Sequence, residues 1–302
     1  MAVIEVRRPI RLFAPAKVNL GLEVLGRRDD GYHEVVTIMQ TVSLFDSIDL
    51  LPADGLHYEG ASAIAREADV VRRALETADR DLGIILSARV RLRKRIPVAA
   101  GLGGGCSDAG TLLGVLGAMA GLPADMVAQA AAQLGSDVPF FTRGGTALAT
   151  GTGADLEWLS PPHQQYLFVI VVPNVAIPSK TATLYGELTA TDFSDGEANM
   201  TQAKRLWNEE PLDLALLRSA FTRPLLTREP VQYAIDVLHH AGAEHVLPAG
   251  AGPSVFTVTT TREQADSIAA RIGIEHGRVF VCSTVPADLN VRRLKRDAFR
   301  VG

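Results

Sequence analysis

Cysteine is scarce in this sequence. Its 302 residues include two, Cys106 and Cys282, far apart and outside any metal-ligand spacing. A disulfide framework is therefore not expected, and a reducing compartment fits better. Long apolar runs are also missing: none reaches the ~18 residues that a membrane span requires. The opening Met1-Ala2-Val3-Ile4-Glu5-Val6-Arg7 has no apolar stretch of the kind that makes a signal peptide. Charge of one sign is not in excess, since 30 Lys and Arg face 34 Asp and Glu for a formal net charge of −4. That balance calls for neither nucleic acid nor an anionic membrane. These absences predict a cytoplasmic protein with no nucleic-acid or membrane partner. Asn199-Met200-Thr201 has the glycosylation spacing, but without a secretion signal it reads as chance.

What remains is ordinary globular composition, 47% apolar and 21% charged. The length suits two domains or one large one. Ser160-Pro161-Pro162 reads as a linker, which predicts one unit over 1–160 and a second over 161–302. No internal repeat is visible.

The first quarter reads as strands, over 10–13, 17–25, 34–43 and 48–51, with a turn at Asp29-Asp30-Gly31. Composition predicts a helix over 66–80. A long strand over 84–96 places Arg89, Arg91, Arg93 and Arg95 on one face by its period of two. Those arginines read either as a solvated sheet face or as a basic approach to a phosphate site. Helices follow over 107–119 and 124–134, then a hairpin-like stretch over 144–153. After the linker come a buried strand at 166–172 and helices near 180–190, 198–208, 211–227 and 229–241. Strands near 254–260 and 278–284 flank a helix at 262–272. The basic tail Arg292-Arg293-Leu294-Lys295-Arg296 reads as solvated.

The densest signal is Pro97-Val98-Ala99-Ala100-Gly101-Leu102-Gly103-Gly104-Gly105-Cys106-Ser107-Asp108-Ala109. Four glycines in five residues forfeit backbone entropy, so backbone geometry matters there. Between a strand and a helix, such amides can converge on an anion, helped by the helix N-terminus. Ser107 offers a hydroxyl to a phosphate or its magnesium. Other readings compete. A Walker A loop needs Gly-Lys-Ser/Thr where Gly105-Cys106-Ser107 stands. A dinucleotide fingerprint needs glycine where Cys106 stands. Gly105-Cys106-Ser107-Asp108-Ala109 is close to a nucleophile elbow, with Ser107 as nucleophile and His239 or His245 downstream. The loop could also be a purely structural turn.

Three segments taken together carry a resemblance. They are Ala14-Pro15-Ala16-Lys17-Val18-Asn19-Leu20-Gly21-Leu22 followed by Asp30-Gly31-Tyr32-His33-Glu34, the glycine loop, and Leu247-Pro248-Ala249-Gly250-Ala251-Gly252-Pro253-Ser254-Val255-Phe256. In order and spacing, over nearly the whole chain, they resemble the GHMP superfamily of small-molecule kinases. The first segment resembles the branch that acts on a cytidylylated methylerythritol. The resemblance implies an α+β fold, with an α/β N-terminal domain, a ferredoxin-like C-terminal domain and a site between them. It implies transfer of the γ-phosphoryl group of ATP, accompanied by Mg2+, to the 2-hydroxyl of that small molecule.

Residue roles follow from the same resemblance. Gly135-Ser136-Asp137-Val138-Pro139-Phe140 is similar to the family's catalytic aspartate segment, which makes Asp137 the general base. Lys17 matches the catalytic lysine. The loop from Pro97 to Ser107 would bind the nucleotide, with Ser107 also at the metal. Asn19, Tyr32 and His33 match substrate positions, and Tyr185 would add an aromatic on the other face of the base. Outside the resemblance, Asp137 would read as a turn aspartate, Lys17 as a strand lysine, and Tyr32 and His33 as turn-flanking residues. Two departures stand out: Cys106 replaces a usual serine, and Ala249 and Ala251 stand where relatives carry hydroxyls. The thiol would be open to alkylation. A sibling kinase acting on another alcohol such as mevalonate or homoserine, or a silent ligand sensor of the same fold, remains an alternative.

Overall fold

A computed structural model describes residues 1–61, 69–162 and 164–299. The first lobe is built on a seven-stranded sheet: β1 (Ala2–Glu5), β2 (Ile10–Arg27), β3 (His33–Leu51), β4 (Leu56–Glu59), β5 (Ile84–Arg93), β6 (Thr146–Thr150) and β7 (Asp155–Trp158). Its helices are α1 (Val70–Arg80), α2 (Gly104–Met119), α3 (Ala124–Ala132) and the single turn α4 (Val138–Phe141). The expected strands at 34–43 and 48–51 are one continuous β3. Its partner β2 absorbs the irregularities with three register shifts, between Pro15 and Ala16, Asn19 and Gly21, and Val24 and Gly26. The start of the expected helix over 66–80, residues 66–68, lies outside the described residues.

Local signals explain much of this. Asp69 caps α1, its carboxylate accepting from the amides of Val71 and Arg72 at 3.1 and 3.2 Å. β5 alternates strictly, with Ile84, Leu86, Ala88, Val90 and Leu92 buried beneath α1 and α2. Its other face settles the arginine question. Arg89 and Arg91 pair with Glu59 at the surface and Arg93 with the largely buried Asp49, while Arg95, expected on the same face, lies beyond the end of β5. They form a charged outer face, not an approach to a phosphate site.

The second lobe carries β8 (Leu167–Val172), α5 (Lys180–Gly186), α6 (Glu197–Trp207), α7 (Thr222–Leu226), α8 (Glu229–His240), β9 (Leu247–Pro248), β10 (Val255–Thr259), α9 (Arg262–Ala270) and β11 (Arg278–Ser283). The helix expected over 211–227 is instead a short 3-10 turn at Leu214–Leu216 and the brief α7. The sheet order is β11-β8-β10-β9, antiparallel throughout. With α8 and α9 as connections, that is the ferredoxin-like arrangement.

The lobes share a core. Ala16, Val18 and Leu20 of β2 pack with Phe168, Ile170 and Phe256 of the second sheet, all fully buried. Apart from Ala16, each of these side chains contributes about 1.5–3 kcal/mol when removed from water. β2 is the seam. The Leu22 amide donates to the Arg218 carbonyl, and buried Glu23 accepts from the Asn199 amide at 2.8 Å and the Ser194 hydroxyl at 2.9 Å.

The tail departs from expectation. It forms α10 (Leu289–Phe299) and returns to the first lobe. Both ends of the Asn290 amide bond the Phe13 backbone at 2.9 Å, and the Arg293 guanidinium lies 4.4 Å from the Phe13 ring centre. Composition showed five residues, four of them basic, but not the aromatic surface on which Arg293 lies.

Candidate active site

β2 presents Lys17 and Asn19 on one face, two residues apart, while Val18 and Leu20 enter the shared core. Lys17 is almost wholly buried. Its ammonium donates to Asn19 Oδ1 at 2.6 Å and lies 3.5 Å from Asp137 Oδ2. The Asn19 amide nitrogen in turn donates to Thr37 Oγ1 at 2.8 Å, and that hydroxyl donates to the Gly21 carbonyl at 2.6 Å. This chain fixes the side-chain orientation of Asn19. Both ends of the Asn19 amide are thus committed to holding the lysine.

The glycine loop closes over this pair. The Lys17 amide donates to the Leu102 carbonyl at 3.0 Å. Gly103 opens α2 at φ +72°, and a Cβ there would stand 2.8 Å from the Phe141 ring. Only glycine accepts that conformation and that space. Helix bonding begins with Ser107 N donating to Gly103 O, which leaves the amides of Gly104, Gly105 and Cys106 without intrahelical acceptors. The third segment docks alongside: Ser254 N donates to the Ala100 carbonyl at 3.1 Å. A Cβ on Gly250, at φ +60°, would come within 2.9 Å of Asn19 Oδ1 and 3.2 Å of Lys17 Nζ.

These elements line one cavity of about 1090 Å³. Residues 97–106 line it throughout, with Lys17, Asn19, Tyr32, His33, Asp137 and Tyr185. At the end away from the loop, the His33 ring lies 5.0 Å from that of Tyr185, tilted by 33°, and Tyr185 meets Phe221 edge-on at 4.9 Å. Tyr32 is exposed at the rim. Burial, with Arg27 nearby, lowers the His33 pKa and favours the neutral ring. Burial pushes the Tyr185 phenol up to about 12.

Ser107 is the correction. Its hydroxyl is wholly buried, donates to the Pro15 carbonyl at 2.6 Å and does not line the cavity. It ties α2 to β2 and presents nothing to a phosphate, a metal or a scissile carbonyl, which also removes the nucleophile-elbow reading. The sequence placed it one residue after the last cavity residue, but at the start of a helix one residue is a rotation of about 100°. Cys106 does line the cavity. Burial, then the Asp137 carboxylate, pushes its thiol up to about 12, which disfavours the thiolate that alkylation needs.

Some cavity residues escaped the sequence reading. Lys94 lines it beside Gly104, but its ammonium is 2.5 Å from both Asp46 and Asp108 carboxylates and is neutralised there. Burial drives Asp108 well above the ordinary carboxylate range. Lys180, the first residue of α5, also lines the cavity, as do Arg27, Phe193 and Phe221. No periodicity or spacing marks these residues; only the return of the second lobe over β2 gathers them. Among the described residues no three His, Cys, Asp or Glu side chains gather as metal ligands. No described helix is long and apolar enough to cross a membrane.

Comparison with known proteins agrees with this geometry. The family described as GHMP kinases N terminal domain matches residues 69–145. The 4-diphosphocytidyl-2-C-methyl-D-erythritol kinase of Dehalococcoides mccartyi is 36% identical over 282 residues, covering 91% of this chain and 98% of its own. That of Gloeobacter violaceus is 33% identical over 294 residues, covering 93% and 96%. A crystal structure of 4-(cytidine 5'-diphospho)-2C-methyl-D-erythritol kinase superposes with a TM-score of 0.75 at 31% identity, covering 91% of this chain and 99% of that one. Homoserine kinase from Cytophaga hutchinsonii shares the fold, with a TM-score of 0.69 over 95% of this chain, at only 18% identity. With a glycine loop, a buried lysine paired with an aspartate and relatives of this identity along nearly its full length, the chain belongs to the 4-diphosphocytidyl-2-C-methyl-D-erythritol kinase family of GHMP kinases.

Proposed function

We propose that this protein transfers the γ-phosphoryl group of ATP to the 2-hydroxyl of 4-diphosphocytidyl-2-C-methyl-D-erythritol, in the making of isoprenoid precursors. The single observation that carries this reading is the cavity itself. The loop amides, the Lys17–Asp137 pair and the aromatic group of Tyr32, His33 and Tyr185 all line it.

The residues fit a nucleotide triphosphate. Free amides at Gly104, Gly105 and Cys106 and the N-terminus of α2 favour phosphate oxygens. Magnesium would ride on those phosphates and on water, as it commonly does, because Asp137 is the one carboxylate among the described residues that line the cavity. When bound, ATP supplies the activated phosphoryl group. Asp137 accepts the hydroxyl proton of the acceptor. Lys17, held by Asn19, stabilises negative charge as it develops on the oxygens. Tyr185 and His33 stack with or hydrogen-bond a pyrimidine, and Tyr32 closes over it from the rim. The division into units 1–160 and 161–302, and a cytoplasmic setting, belong to the same reading.

The test is ADP release by the purified protein with each candidate acceptor. Release that depends on the cytidylylated alcohol, and not on mevalonate or homoserine, is expected. Release without it, or with the other alcohols alone, overturns the proposal.

A further inference from the structure

The cavity contains more positive than negative groups. Lys17, Arg27, Lys94 and Lys180 line it, against Asp137 alone among the described carboxylates. Two of these cations are matched: Lys94 by Asp46 and Asp108, and Lys17 by Asp137 and Asn19. Arg27 belongs to the aromatic end, where it acts on His33. Lys180 is different. It is part-buried, and no carboxylate among the described residues comes within 4 Å of its ammonium. A lysine in that position loses hydration without gaining a partner, an arrangement that disfavours the empty site and favours an anion within it.

Its position along the cavity says which anion. Lys180 begins the helix that carries Tyr185 five residues later, about 7.5 Å further along the axis. Lys180 and Tyr185 both line the cavity, with the Tyr185 ring 5.0 Å from that of His33. The charged and titratable groups that act on it there are Lys17 from β2, Asp137 before α4 and Cys106 in α2. These are the groups around the reacting centre.

We propose that Lys180 is a second catalytic cation, its ammonium contacting the phosphoryl group in transit between donor and acceptor. The inference rests on the kinase reading above. In the step, a bond forms between the acceptor oxygen and the γ-phosphorus as the bond from that phosphorus to the β,γ-bridging oxygen breaks. The hydroxyl proton passes to Asp137, ADP leaves with the bond's electron pair, and Lys180 keeps its proton throughout. Lys17 then approaches the phosphoryl group from the first lobe and Lys180 from the second. The transferring oxygens meet a cation on either side only when both lobes are assembled around the ligand.

Burial, and then the nearby Lys17 cation, lower the Lys180 pKa to about 8 in the free protein. An arriving triphosphate reverses this by favouring the cation. Binding at pH 8 should therefore take up about half a proton, and almost none at pH 6.5.

Two readouts test the assignment. The first is calorimetric titration with a non-hydrolysable ATP analogue and magnesium, at pH 8 in two buffers of different ionisation enthalpy. The wild-type protein should show the uptake, and Lys180→Met and Lys180→Arg should both lack it. The second is steady-state kinetics. Lys180→Met should lower kcat by roughly 10²-fold, as loss of one transition-state donor does, with KM for the cytidylylated acceptor within about threefold. Lys180→Arg should recover most of kcat. Unchanged proton uptake in Lys180→Met overturns the proposal. So does a loss confined to KM, which would move Lys180 to the diphosphate of the acceptor. A misfolded Met variant would fail to bind the analogue at all, and the Arg variant then carries the decision. Failure of the kinase reading shows itself separately, as a wild-type protein without acceptor-dependent ADP release.

Discussion

Asp137 and Lys17 are 3.5 Å apart, but they do different work. Replacing Asp137 with Asn keeps the shape and removes the base, so kcat should fall by roughly 10²–10⁴. Near-normal kcat in Asp137→Asn, measured with saturating substrates, would exclude Asp137 as the base. Gly250 offers a subtler change. Gly250→Ala places a methyl group against Asn19 and Lys17 and forces a non-glycine residue to φ +60°. The backbone alone costs about 1–2 kcal/mol. Urea denaturation should register that loss, and kcat should fall with it because Lys17 is displaced. Cys106 is the third residue-level case. With its pKa at about 12 the thiolate fraction at pH 8 is on the order of 10⁻⁴. The native protein should resist iodoacetamide at Cys106 at pH 8, and urea-unfolded protein should label within the same time. Rapid native labelling, mapped by mass spectrometry, would show the thiol to be less buried than this.

At the scale of elements, β2 does the most. It is a first-lobe strand whose Lys17 and Asn19 reach the cavity, whose Leu22 and Glu23 bond the second lobe, and whose Phe13 receives the C-terminal helix. In the structure both faces are buried from Ala14 to Val24, and Glu23 is satisfied by Ser194 and Asn199 rather than by water. The α10 helix is the converse case, a basic segment that composition assigns to solvent. Its anchor can be tested. Asn290→Ala leaves the Phe13 amide and carbonyl without their partners, which should cost about 1–3 kcal/mol. A smaller chemical denaturation midpoint with unchanged KM is expected. No change would mean that α10 contributes nothing to the fold.

For the whole molecule, the cavity belongs to both lobes, so ligand binding and global stability are coupled. A nucleotide at a hundred times its Kd should stabilise the protein by about 2.7 kcal/mol, seen as an upward shift in melting temperature. The cytidylylated acceptor should add its own increment because Tyr185 and Lys180 come from the second lobe. Melting curves indifferent to both ligands would place the binding site elsewhere.

Much of this was legible in the linear chain. The glycine loop, the strand holding Lys17, the Asp30-Gly31-Tyr32-His33 turn and Asp137 are local patterns, and local patterns survive in sequence because backbone conformation is set by neighbouring residues. The tertiary structure decided which atoms face the cavity. It turned Ser107 inward onto Pro15, fixed Asn19 through Thr37, neutralised Lys94 and brought Lys180 in from the second lobe. Each of these depends on a partner far away in the chain or on a rotation of about 100° per helical residue. The sequence determined which chemistry the protein carries. Only the packing of one lobe on the other decided which side chains are free to perform it.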